Sequence, residues 1–137
     1  MKRNRRAQVF TLAVLAVGLL ALAAPAQNLA EKPFIGSWKG SISIMGQTLE
    51  IRVVFKLDEA KKMAGTFESI TQGAAGIKLA GIAVEGKNIA FGLDPALVPG
   101  NAAFKGTLDA SLTKITGEFN QSGYTGTFSV EKEKPQK

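Results

Sequence analysis

The side chains that most often carry chemistry are scarce in this sequence. Among 137 residues there is no histidine and no cysteine, so the usual general base, the thiol nucleophile and the commonest transition-metal ligands are all missing. No G-x-S-x-G elbow presents a serine. Ser41, Ser43 and Ser129 fall on the polar beat of alternating segments, where solvation accounts for them. Asp58-Glu59 is the one adjacent acidic pair, and it sits in a turn-like stretch without the apolar flank that raises a carboxyl pKa for glycoside chemistry. The glycines at 73 and 76 lack the lysine and following helix of a phosphate loop. Asn120-Gln121-Ser122 matches a glycosylation sequon in form, inside a tight-turn sequence. The expectation is a chain with no catalytic residue, no metal site and no cofactor.

What remains are apolar and aromatic residues in a regular beat, so the elements that arrange them become the question. Alternation with period two, the mark of a strand that buries one face, runs through almost everything after residue 33. In 48–58, Leu49, Ile51, Val53, Phe55 and Leu57 point one way and Thr48, Glu50, Arg52, Lys56 and Asp58 the other. Upstream, Trp38, Gly40, Ile42 and Ile44 alternate with Lys39, Ser41 and Ser43, and Met45-Gly46-Gln47 reads as a hairpin joining the two runs. Further strands are expected at 63–70, 77–85, 87–94, 102–109, 114–120 and 123–131, with a longer loop at 71–76. That makes eight, evenly spaced, as in an all-β meander.

In strand after strand a glycine lies two residues from an aromatic, hence on the same face: Trp38 with Gly40, Gly65 with Phe67, Phe104 with Gly106, Gly117 with Phe119, and Gly126 with Tyr124 and Phe128. Glycine inside a strand permits a sharp bend, and a neighbouring ring can cover the bare backbone, a device of curved sheets and barrels. The reading is an all-β, antiparallel up-and-down barrel of about eight strands. Its interior is expected to hold Trp38, Ile42, Leu49, Ile51, Val53, Phe55, Phe67, Phe91, Phe104, Phe119, Tyr124 and Phe128. Gln72, Gln121 and Tyr124 are expected near one mouth, where the amides either anchor a ligand's polar end or fix the turns. An eight-stranded barrel either fills itself with side chains or leaves room for one small ligand.

The N-terminus reads differently. Lys2, Arg3, Arg5 and Arg6 are followed by no charged side chain from Ala7 to Ala30, and 9–23 is almost wholly apolar before Ala24-Pro25-Ala26. That is the pattern of a signal peptide cut before Gln27; an uncleaved anchor helix is the alternative, from an apolar run shorter than the roughly 20 residues of a membrane span. The expected organisation is a leader at 1–26, an extended lead-in at 27–33, the barrel at 34–131 and a disordered charged tail at 132–137. Export places the barrel in the periplasm or outside the cell, with membrane contact only through the leader. Four of the 17 basic residues belong to the leader, so thirteen remain against 11 acidic ones and the net charge falls from +6 to +2. The remaining lysines are scattered among acidic neighbours, without the concentrated positive field that nucleic acid requires.

Two resemblances attach to these residues. Gly36-Ser37-Trp38 at the start of the first strand resembles the G-x-W signature of the lipocalins, whose arginine near the last strand packs over the tryptophan; the one arginine after the leader is Arg52, in the second strand. Nearly the whole chain after the leader resembles the lipocalin-like β-barrel domain that precedes some bacterial α/β-hydrolase esterases and peptidases, and that also occurs free-standing. The matching pieces are Gly36-Ser37-Trp38-Lys39-Gly40, Gly65-Thr66-Phe67-Glu68-Ser69, Gln72-Gly73-Ala74-Ala75-Gly76-Ile77, Phe104-Lys105-Gly106-Thr107-Leu108 and Ile115-Thr116-Gly117-Glu118-Phe119-Asn120-Gln121-Ser122-Gly123. Ile70-Thr71 stands where relatives place Pro-Asp, and no hydrolase half follows, so the resemblance implies a barrel and not an esterase. Two functions stay open: a carrier of a small lipophilic molecule, or an interaction module working with a separately encoded exported hydrolase or envelope partner. The second expects an exposed apolar patch involving Val54, Ile70, Leu97 and Val98.

Overall fold

The computed structural model describes residues 31–134, so the expected leader, most of the lead-in and residues 135–137 lie outside the described residues. The chain divides into two units, Met1–Lys32 and Pro33–Lys137. The barrel belongs to the second, and of the first only Glu31 and Lys32 are described.

The alternating segments fold as β1 (Gly36–Ile44), β2 (Gln47–Leu57), β3 (Met63–Ser69), β4 (Ala74–Glu85), β5 (Asn88–Leu93), β6 (Ala103–Leu108), β7 (Lys114–Gln121) and β8 (Tyr124–Lys132). A short 3-10 turn, Lys32–Phe34, comes before them. Each strand pairs antiparallel with the next, and β1 also pairs with β8, through Gly40↔Val130 and Ile42↔Phe128 among others, which closes the barrel. The expected fold class is the one observed.

Closure depends on glycine where strands press together. A Cβ on Gly117 would overlap the Lys105 carbonyl and crowd Gly106, its partner across the β6–β7 ladder. The ring that covers Gly106 is Phe128, from β8, and not the ring two residues away on its own strand. At Gly40, Gly65, Gly117 and Gly126 the nearest atoms are instead backbone carbonyls of the neighbouring strand, so close strand approach and not ring cover is what these positions require.

Three local expectations are corrected. The β1–β2 hairpin is a two-residue turn of Met45 and Gly46, both at positive φ (53° and 75°), and Gln47 already belongs to β2. The loop expected at 71–76 is shorter because β4 starts at Ala74. Ala74, Ala75 and Gly76 carry no apolar beat, and the register with β3 slips between Phe67 and Ser69. β4 bulges again between Ala80 and Ala83, with Gly81 at φ +59°. The tail begins later than 132: Lys132 ends β8, and the Glu133 amide donates to the Ser37 carbonyl at 2.8 Å. What holds this segment is the closing ladder, which needs no apolar side chain.

Apolar residues face inward and charges outward, the reverse of a barrel that spans a membrane. With β1, β3, β5 and β7 running one way and the even strands the other, one end of the barrel gathers the β1–β2, β3–β4, β5–β6 and β7–β8 turns. The other gathers the remaining turns with the chain's entry and exit.

Candidate functional site

The centre of the barrel is a cluster of rings built on Phe104. It stacks on Phe91 at 4.7 Å between centroids, meets Phe119 at 4.7 Å and Phe67 at 5.7 Å, and receives the edge of Phe128 at 5.1 Å. Phe55 meets Phe91 edge to face at 5.3 Å. These spacings are those of rings in direct contact. Phe91 and Phe104 lie opposite one another in the β5–β6 register, and Phe104 and Phe119 in the β6–β7 register, so the ladder itself brings them together. Trp38, Ile42, Ile51 and Val53 are buried around the same centre.

Both ends are covered. At the entry end Phe34 is fully buried, and its carbonyl accepts a hydrogen bond from the Trp38 indole Nε1 at 2.9 Å. Lys132 lies over the Trp38 ring, 5.3 Å from its centroid, and donates to the Pro33 carbonyl at 3.1 Å. A cation from the last strand therefore covers the tryptophan. At the turn-rich end, the segment between β5 and β6 folds inward. Ala102 is buried there, Val98 packs against the core, and the Ser122 amide donates to the Gly100 carbonyl at 2.7 Å.

Of the fourteen residues expected in the interior or at its mouth, ten are buried in this centre: Trp38, Ile42, Ile51, Val53, Phe55, Phe67, Phe91, Phe104, Phe119 and Phe128. Tyr124 is not in the interior; it is 54% exposed, because β8 begins with it at the rim, beyond the last inward layer. Leu49, expected inside, is only partly buried near the same rim. Gln72 and Gln121 do sit at one mouth, and both hold turns. Gln72 Oε1 accepts from the Ser69 hydroxyl at 3.0 Å, and Gln121 Nε2 donates to the Pro99 carbonyl at 2.9 Å. Phe34, Leu93, Ala102, Leu108, Ile115 and Val130 also line the core. Phe34 precedes the first alternating run, so periodicity gave no sign of it.

The interior offers a ligand little to hold. Among the described residues the one buried polar side chain is Ser69, already bonded to Gln72, and no buried side-chain donor or acceptor lacks a partner. No group of three acidic residues among them could hold a metal. Two depressions of about 560 and 670 Å³ lie on the outer wall, one over β4–β7 around Ala90 and Thr116, the other around Ser37 and Arg52. None of the core rings lines either.

Charge is concentrated outside, around Arg52. Its guanidinium bonds Glu68 at 2.8 Å and Glu133 at 2.9 Å, and Glu133 also accepts from the Ser37 hydroxyl at 2.6 Å. The Ser37 hydrogen bond, followed by the Arg52 bond, holds the Glu133 carboxyl below its ordinary pKa, and its carboxylate raises that of Arg52. This network ties the end of β8 to β1, β2 and β3. It leaves no free nucleophile or base and acts as a clamp.

No family model matches this sequence, and no curated protein matches it. Among solved structures the chain is similar to a redesigned β-barrel, at 18% identity and a TM-score of 0.59, over 77% of this chain and 96% of that one. At that identity the likeness shows the fold alone.

Proposed function

We propose that this chain is an exported, non-catalytic barrel that works through its outer surface, as an accessory module for an envelope component or a separately encoded exported hydrolase. The observation that carries this reading is the filled centre: touching rings, both ends covered, and no polar group left to orient a guest. Pockets for small molecules combine apolar walls with a few converging polar groups, and the second part is missing. The leader-like N-terminus supports export, and the resemblance to barrels that accompany hydrolases supports an accessory role.

A second reading, the carrier of a small lipophilic molecule, has one observation in its favour. The inward residues of β4, Ile77, Leu79, Ile82 and Val84, are only partly buried, and β3–β4 pairing runs only from Thr66↔Lys78 to Ser69↔Ala74. This seam is where a guest would enter.

Native mass spectrometry of the purified protein, followed by titration with a fluorescent apolar probe, separates the two. The surface module gives a bare mass and no saturable uptake. Phe104→Ala is the control: deleting the central ring opens an apolar hole, so this variant binds a benzene-sized guest that the parent does not, and loses roughly 3–5 kcal/mol of stability. Saturable uptake by the parent would sink the surface reading and establish the carrier.

A further inference from the structure

The segment that covers the entry end is joined to the barrel differently from the residues around it. Phe34 is fully buried in the core cluster, yet it precedes β1 and belongs to no strand. The β1–β2 ladder starts at Gly36↔Phe55, and among the described residues 33–35 make no backbone hydrogen bond to a strand. Apart from burial, two side chains hold them to the barrel: the Trp38 indole donates to the Phe34 carbonyl, and the Lys132 ammonium to the Pro33 carbonyl. Gly36 stands between this segment and the ladder. Its φ is +136°, an angle that glycine adopts freely and other residues rarely do, and a Cβ there would come within 3.1 Å of Lys132 Cε. Outside the same residues there is room, since the depression of about 670 Å³ is lined by Ile35, Gly36, Ser37, Arg52 and Lys132 among others.

We propose that residues 33–35 are a hinged stopper: Phe34 swings out about Gly36 into that depression while the eight strands stay paired, and the socket it vacates accepts one apolar ring or short alkyl group of similar size. The chain's own phenylalanine is the resting occupant of a closed site, an autoinhibitory contact. A ring on a central strand leaves the core only when its ladder breaks. Phe34 leaves on the loss of two hydrogen bonds and its own burial, a local opening and not a global one. A hinge needs only one or two residues able to absorb a change of backbone angle, and Gly36 is placed at the boundary between the held and the unheld chain. Lys132 is the latch. One exposed side chain from the last strand reaches the Pro33 carbonyl and the Trp38 ring, so a group outside that competes for its ammonium loosens the stopper. The socket is walled by the apolar core, in which no buried side-chain donor or acceptor is unpaired, and this selects an apolar guest.

The chain has a single tryptophan, so one indole N–H signal reports on the bond to Phe34. The test is native-state hydrogen exchange of the purified protein, followed by NMR at several urea concentrations below the unfolding transition. In the parent the Trp38 indole N–H exchanges at least about a hundredfold faster than the slowest amides of β1 and β8, and its rate hardly changes with urea, because a local opening exposes little surface. Lys132→Met keeps the stem, removes the ammonium and speeds this exchange by about tenfold. Lys105→Met, on β6, leaves it unchanged. Phe34→Ala deletes the stopper's ring, binds benzene and shifts the indole signal, whereas benzene leaves the parent's signal in place. Indole exchange that keeps pace with the slowest amides and shares their urea slope means that Phe34 leaves only on global unfolding, and overturns the proposal. So does a Lys132→Met rate equal to the parent's, a folded Phe34→Ala that takes up no benzene, or a parent that binds benzene as tightly as Phe34→Ala. Should Phe34→Ala not fold, the parent's exchange decides alone.

Discussion

Glu133 shows how one carboxylate can matter to the closure of a barrel. Its oxygen accepts from both Ser37 and Arg52, and the first of these does most to lower its pKa. A carboxyl whose pKa is lower folded than unfolded adds stability that is complete above the unfolded value and is lost as pH falls through the folded one. The loss therefore starts below the ordinary 4.5 of this group. Asp109 shifts in the same direction, mainly through the Ser111 hydroxyl, and contributes to the same acid limb. Arg52 moves upward and stays charged throughout, so it adds no slope there. Thermal melts from pH 7 to pH 3 will fall more steeply for the parent than for Glu133→Gln, and the two curves will converge at the acid end. Parallel curves would mean that the clamp does not sense protonation.

Among the elements, β4 is the weakest. Unlike every other strand it contains no buried residue, it bulges at two places, and its lower half has no register partner in β3. Local opening follows low burial and missing ladder bonds, so backbone amides over Leu79–Val84 will exchange with deuterium before those of β1, β2, β7 and β8. Uniform protection around the barrel would contradict this. The same strand marks the limit of what alternation reveals. In β2 five apolar residues at perfect spacing make the element readable, with Ile51, Val53 and Phe55 buried on the face they predict, and Phe104 and Phe119 are placed by the same rule. Ala74-Ala75-Gly76 has no contrast between faces, so its pairing is decided by β3 and not by its own residues. Tyr124 has the parity of an inward residue but the height of a rim residue, and alternation reports only the first. Lys132 over Trp38 joins the last strand to the first, a contact no local pattern encodes.

At the scale of the molecule, closure joins residues that are far apart in sequence around a centre filled with rings. Filling the centre with rings takes up space that barrels of this size can leave for a small guest. β1 and β8 are neighbours, and the entering and leaving backbones run side by side, with Ser37 bonded to Glu133 at 2.8 Å and Pro33 to Lys132 at 3.1 Å. Strand order along the polypeptide can therefore be rotated without moving any strand in space. A circular permutant that links residue 134 to residue 33 through a few glycines, and opens between Met45 and Gly46, will regain the parent's circular dichroism and melt cooperatively. Its new ends will emerge at the rim that carries the β1–β2 turn, which makes that rim addressable by a genetically fused label.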